Sequence, residues 1–338
     1  MYFQPATGRF LMNFAMSIKN YFRLELEYYC RRGNVNKIYN LLARGAILRD
    51  EAIYYWFLCP NILYNNKLIN LVTNCIKNLN FTPRNSNDLS FIHLAAFSGC
   101  PDLVRKLLER GADINATYLL QVPETVDRHA DALCAAAREG HLEVVKVLCD
   151  WASQKQIKLT KKHQALISAC RHSHHKVISF LAMEKDININ AADQVYCSPL
   201  HAARHHLAVT TTLLEHGADA NVHNASGSTL LLDAIALALK HECKSRYAMI
   251  TLLLQFGADV NLADTTTGET PLMKAALARS FELTSVLLEA GADVTQANNA
   301  DQTVFMLLGD DNRVLMALCT MYLICSDKPR ATYKPTLK

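Results

Sequence analysis

The chain has 338 residues, half of them hydrophobic, with 35 Lys/Arg against 31 Asp/Glu and a net charge of only +4. Nine Pro and twelve Gly leave little material for long disordered linkers, and the apolar half supplies ample core. Eleven Cys are scattered singly without a CxxC pair. That argues against a disulfide framework and fits reduced, buried thiols such as Cys134, Cys149 and Cys170 in a cytosol-like compartment. No uninterrupted apolar run reaches about 18 residues, so a membrane span is not expected.

Residues 1–21 begin apolar, but Pro5, Arg9 and Asn13 and the lack of a small-residue cleavage site speak against a secretory signal. They are predicted to form a helix that caps the remainder of the chain. Residues 22–84 hold two divergent helical pairs. The first runs from Leu26 to Ala46. The second has predicted helices over Glu51–Leu58 and Lys67–Leu79. From 85 to 298 a regular pattern takes over. Gly-Ala-Asp recurs at 111–113, 217–219, 257–259 and 291–293. Each copy follows a Leu-Leu pair (Leu107-Leu108, Leu213-Leu214, Leu253-Leu254, Leu287-Leu288) and leads to Asn115, Asn221, Asn261 or Thr295. Upstream lie Ser198-Pro-Leu-His-Ala-Ala203, Thr270-Pro-Leu-Met-Lys-Ala-Ala276 and the variant Ser90-Phe-Ile-His-Leu-Ala-Ala96; Gly140-His141 and Val144-Val145 fall between. Units are therefore placed at 85–116, 130–152, 163–192, 193–224, 225–264 and 265–298. Insertions fall at 117–129 and 240–247. Residues 299–325 form a degenerate last pair, and 326–338 a basic, flexible-looking tail.

The pattern has a physical reading. Thr270 can cap a helix whose first position, Pro271, sacrifices no donor. Ala275 and Ala276 let neighbouring helices approach. Gly140 suits a left-handed helix end, with Ser173 in that place in the 163–192 unit. Val144, Val145 and Leu148 form one apolar stripe. With TPLHxAA, GHxxVVxxLL and GADxN landmarks in order over most of 22–319, the chain resembles the ankyrin-repeat family. The resemblance implies an all-α solenoid of antiparallel helical pairs with short β-hairpins, binding protein partners in the groove of hairpin tips and first helices.

Little in the sequence points to catalysis or to a metal. His172, His174, His175, His205 and His206 cluster in adjacent units, and imidazole suits zinc or copper. Yet His174 falls at the Gly-His position, and His172, His205 and His206 fall at a helix end. The resemblance implies that His93 and His201 bond hairpin backbone. Cys134 takes the equivalent histidine position, with His141 two helical turns and a corner away. No GxSxG, phosphate loop or HExxH is present. No catalytic residue, metal or cofactor is expected. The family includes substrates of an asparaginyl hydroxylase. Asn115, Asn221 and Asn261 carry the Leu eight residues before and the acid two before that such a site favours; the alternative is that they bond hairpin backbone.

Charge is uneven. Residues 1–80 hold ten Lys/Arg against four acids, and no acid lies between Asp150 and Glu184. Lys155, Lys158, Lys161, Lys162, Arg171 and His172 form the partner-binding candidates of that stretch. Others are the groove positions Gln194, Val195, Tyr196, Thr265, Thr266 and Glu269, with His205 and His206. The expected function is a monomeric, non-catalytic cytoplasmic scaffold for a protein partner. The Asn/Ile/Tyr-rich start and irregular units resemble ankyrin effectors of intracellular bacteria such as Legionella and Coxiella, which implies delivery into a host cytosol or nucleus and a host protein as partner. Two alternatives stay open: a nucleic-acid-binding array using 155–176, and an enzymatic or regulatory element within 1–84.

Overall fold

Short helices follow one another in pairs, and each pair is too small to bury its own apolar face. In this computed structural model the described residues are 28–29, 34–43, 89–119, 129–191, 198–240, 244–308, 312–325 and short pieces between 69 and 82. The chain divides into two units, 1–165 and 166–338. The expected cap at 1–21, the helix Glu51–Leu58 and the tail at 326–338 lie outside the described residues.

The first unit contains α1 (Val35–Ala43), α2 (Phe91–Phe97), α3 (Pro101–Glu109), α4 (Ala132–Glu139), α5 (Leu142–Lys155) and the start of α6 (Lys162–Arg171). Helices α2 and α4 pack side by side as first members of their pairs, and α3 and α5 as second members. Val144, Val145 and Leu148 are fully buried between them. The helix expected over Lys67–Leu79 stops earlier. Residues 69–70 and 73–74 are helical but 76–80 are not. There Asn78 Oδ1 accepts from the Asn80 N–H at 3.1 Å, a local turn that competes with the helix.

The second unit continues with α7 (His175–Ala182), α8 (Pro199–Ala202), α9 (Leu207–Glu215), α10 (Leu230–Lys240), α11 (Lys244–Gln255), α12 (Pro271–Leu277), α13 (Phe281–Glu289), α14 (Val304–Leu308) and α15 (Arg313–Cys325). First helices α10, α12 and α14 stack in sequence, as do second helices α7, α9 and α11. Leu253 and Leu287 are fully buried. Each such Leu contributes about 1.5–3 kcal/mol by leaving water, which offsets the entropy cost of ordering helices of fewer than about 12 residues. The insertion expected as a loop at 240–247 mostly extends α10 and α11, with 241–243 outside the described residues.

The caps follow the sequence. Thr270 Oγ1 accepts from the Met273 N–H at 3.2 Å, and Ser198 Oγ from the His201 N–H at 3.4 Å. Gly140 is left-handed at φ 79°, and Ser173 replaces it at φ 61°. Hairpins differ from expectation. Among the described residues one two-stranded ladder occurs, Tyr118–Leu119 (β1) with His129–Ala130 (β2), at the 117–129 insertion. The other connections among the described residues are turns, and there His223 and Thr229 form an isolated bridge.

Candidate functional site

The second unit carries a row of turn tips locked to one another. Asn224, Asp264 and Asn298 each start one. Asn224 Oδ1 accepts from the Ser226 and Ser228 N–H groups, each at 3.0 Å. Asp264 Oδ1 accepts from the Thr266 N–H at 2.9 Å and the Thr267 N–H at 3.3 Å. Asn298 Oδ1 accepts from the Ala300 and Gln302 N–H groups, each at 3.0 Å. These are Asx turns, which hold a loop without a strand ladder. The tips then bond laterally. The Thr265 N–H donates to Gly227 O at 2.9 Å and the Asn299 N–H to Thr267 O at 3.2 Å. Gly227 is left-handed at φ 79°, and a Cβ there would meet Thr265 Oγ1.

Behind the tips, first-helix side chains close the network. Ser228 Oγ donates to Asp233 Oδ1 at 2.7 Å, and Asn224 Nδ2 to Asp233 Oδ2 at 3.3 Å. In the next repeat Lys274 Nζ lies 3.6 Å from Asp264 Oδ2. Burial works to raise the Asp264 pKa, but the Thr266 hydroxyl and N–H, the Thr267 N–H and Lys274 outweigh it and hold the carboxyl below its ordinary value. Thr265 and Thr266 remain exposed and Glu269 half-buried. The groove positions Gln194, Val195 and Tyr196 lie outside the described residues.

A second lateral row runs along Asn221 and Asn261 of the GADxN strings and Asn190, which no Gly-Ala-Asp precedes. Asn190, Asn221 and Asn261 Oδ1 accept from the N–H groups of Asp219 (2.8 Å), Asp259 (2.7 Å) and Asp293 (2.7 Å) in the next repeat. The acid two residues before the Asn also has a structural role, since Asp219 and Asp259 each accept from the Asn N–H at 2.8 Å. In the first unit Asn115 Nδ2 donates to Lys158 O at 3.1 Å, and its Oδ1 accepts from the Thr160 N–H at 3.4 Å. Asn190 takes its place in the row although Ala182 and Asn188 stand where the other copies carry Leu and Asp.

The histidines are mostly structural. His93 Nδ1 accepts from the Ser90 N–H at 2.9 Å, and its Nε2 meets Ala116 O at 2.8 Å. Those partners require Nε2 to carry the proton of a neutral ring, and burial pushes the pKa down to about 4. His201 Nδ1 meets Ser198 Oγ at 2.9 Å, while its ring faces the Ser228 backbone of the next tip, and burial lowers its pKa. His141 Nε2 meets Phe97 O at 2.9 Å, a link between repeats 44 residues apart that the sequence did not disclose. Cys134 Sγ points instead to Lys161 O at 3.7 Å. Burial pushes this thiol well above its ordinary pKa. Cys134 and His141 thus serve different carbonyls. His172 and His174 stack at 6.4 Å, His205 Nε2 accepts from Arg204 Nε at 3.1 Å, and His206 precedes α9. No cluster of three or more His, Cys, Asp or Glu able to hold a metal occurs among the described residues.

The basic candidates do not form one group. Lys162 starts α6 and Arg171 ends it, about 13 Å apart at 1.5 Å per residue. Lys155, Lys158, Lys161 and Lys162 belong with the loop before α6; Arg171 and His172 lie at its far end, both exposed. No helix among the described residues is long and apolar enough to cross a membrane.

The family model "Ankyrin repeats (3 copies)" matches residues 116–193 and 200–298, and "Ankyrin repeat" matches 87–118. A curated protein of Oryza sativa subsp. japonica, named "Probable E3 ubiquitin-protein ligase XBOS33", is 39% identical over 232 residues, covering 62% of this chain. The chain spans 43% of that relative's length. With more than half of its length matched and its helical pairs stacked as described, this chain belongs to the ankyrin-repeat family.

Proposed function

We propose that the chain is a non-catalytic protein-binding module. In the second unit its partner contacts the exposed tip residues Thr265 and Thr266 and the half-buried Glu269, with Asp233 and Lys274 behind them. One observation carries the reading. The tips are exposed yet fixed by lateral bonds, from the Thr265 N–H to Gly227 O and from Asn299 Nδ2 to Thr266 O at 3.0 Å. A surface ordered beforehand loses little entropy when a partner seats on it. Affinity capture with the intact chain, compared with a Thr265→Arg/Thr266→Arg variant of unchanged circular dichroism, tests this. A specific protein held by the parent and lost by the variant supports it; equal capture by both refutes the placement.

A bacterial effector acting on a host protein is a finer form of this reading, supported by the resemblance of the Asn/Ile/Tyr-rich start. Hydroxylation of Asn115, Asn221 and Asn261 rests on the Leu and Asp spacings. Their carboxamides are engaged on neighbouring backbone, so an enzyme would have to draw each segment from the stack. The rice relative favours a second context, a binding segment within a ubiquitin ligase. That context requires ubiquitin transfer to the captured partner by the full-length protein.

A further inference from the structure

The connection between α5 and α6 lacks the Gly-Ala-Asp string and runs Gln156-Ile-Lys-Leu-Thr-Lys161 instead. It is nevertheless held at several points. Gln156 is left-handed at φ 56° and ends α5, with the Ile157 N–H donating to Ala152 O at 2.8 Å. Leu159 is buried. Asn115 grips Lys158 O and the Thr160 N–H from the preceding repeat, and Cys134 Sγ reaches Lys161 O. The backbone is therefore pinned, while the side chains of Lys155, Ile157 and Lys158 are exposed.

We propose that this pinned loop is a docking surface for an acidic protein segment with an apolar residue at its centre. The proposal rests on the protein-binding reading above and adds a second contact, in the first unit. Charge supports the acidic partner. No acid occurs from Trp151 through Ala165. Asp113, which the Asn115 grip brings near, already accepts from the Asn115 N–H at 2.9 Å, and Asp131 is buried as the cap of α4. Ile157, 38% exposed, sits between the two lysines and offers an apolar contact that a phosphate chain would leave unused. Nucleic acid fits less well. The two rings in 151–165, Trp151 and His163, are both half-buried, and Lys155 Nζ lies 5.4 Å over Trp151, which leaves no open platform for base stacking. The cations are lysines, without the planar fork of Arg that suits phosphate.

The test uses the full chain and a fluorescent peptide of about twelve residues, Asp/Glu-rich with a central Leu. Binding is read by anisotropy. The peptide should bind, and Lys155→Glu/Lys158→Glu should weaken it by more than about tenfold, as should raising salt from about 50 to about 300 mM. Ile157→Ser should weaken it by about threefold, and Asn115→Ala by a similar factor although no charge is changed, because the loop loses its grip. Thr265→Arg/Thr266→Arg should leave it unchanged. Undiminished binding by the double glutamate variant overturns the proposal. So does tighter binding of an oligonucleotide, or of phosphatidylserine vesicles, than of the peptide. If the peptide fails while a captured protein still depends on Thr265 and Thr266, only this second surface falls.

Discussion

Asn261 and Asp293 lie one repeat apart and are joined directly, Asn261 Oδ1 accepting from the Asp293 N–H at 2.7 Å. The same carboxamide donates to Gly291 O at 3.4 Å, so a single side chain bridges two backbones. Removing it in Asn261→Ala should cost about 1 kcal/mol, the net worth of a hydrogen bond that water can partly replace. Urea unfolding monitored by circular dichroism would read this as a lower midpoint at constant slope.

Burial draws a sharper contrast. Leu253 is fully buried and Leu277 is 45% exposed. Leu253→Ala should destabilise by about 2–5 kcal/mol through lost transfer and cavity terms. Leu277→Ala should stay within about 0.5 kcal/mol. Equal effects in thermal melts would mean that Leu253 is not packed as described.

His93 makes the fold sensitive to acid. Its pKa is lowered from 6.5 to about 4, burial outweighing the bond to Ala116 and the charge of Asp113. The unfolded chain therefore binds the extra proton first. Stability should fall as pH drops from about 6.5 towards about 4 and level off below, with a total loss on the order of 3 kcal/mol from this group. His93→Gln should flatten that part of the profile.

Gly99 allows His141 to reach Phe97 O. It is left-handed at φ 69°, and a Cβ there would lie 2.5 Å from His141 Nδ1. Gly99→Ala should destabilise by more than about 1 kcal/mol, combining strain with overpacking. His141→Ala in the same background should recover part of that loss, which a double-mutant cycle would measure.

Much of this was legible in the sequence, for identifiable reasons. Leu253, Leu287, Val144 and Val145 repeat at helical spacing beside turn signals, so their burial follows from periodicity. Thr270-Pro271 and Gly140 announce helix ends through local chemistry alone. The features that escaped depend on the register between repeats: the His141 bond to Phe97, the Asn115 grip on the Lys158 loop and the Asp233 and Lys274 networks. The basic stretch looked like one patch because sequence gives order but not direction. Helix α6 carries Lys162 and Arg171 to opposite ends.

Hydrogen exchange on the intact chain, with and without its captured protein partner, tests the central claim most directly. Slowed exchange at the tips 224–228, 264–269 and 298–302 is the predicted result. Protection confined to the second helices α9 and α13, with the tips unchanged, would contradict it.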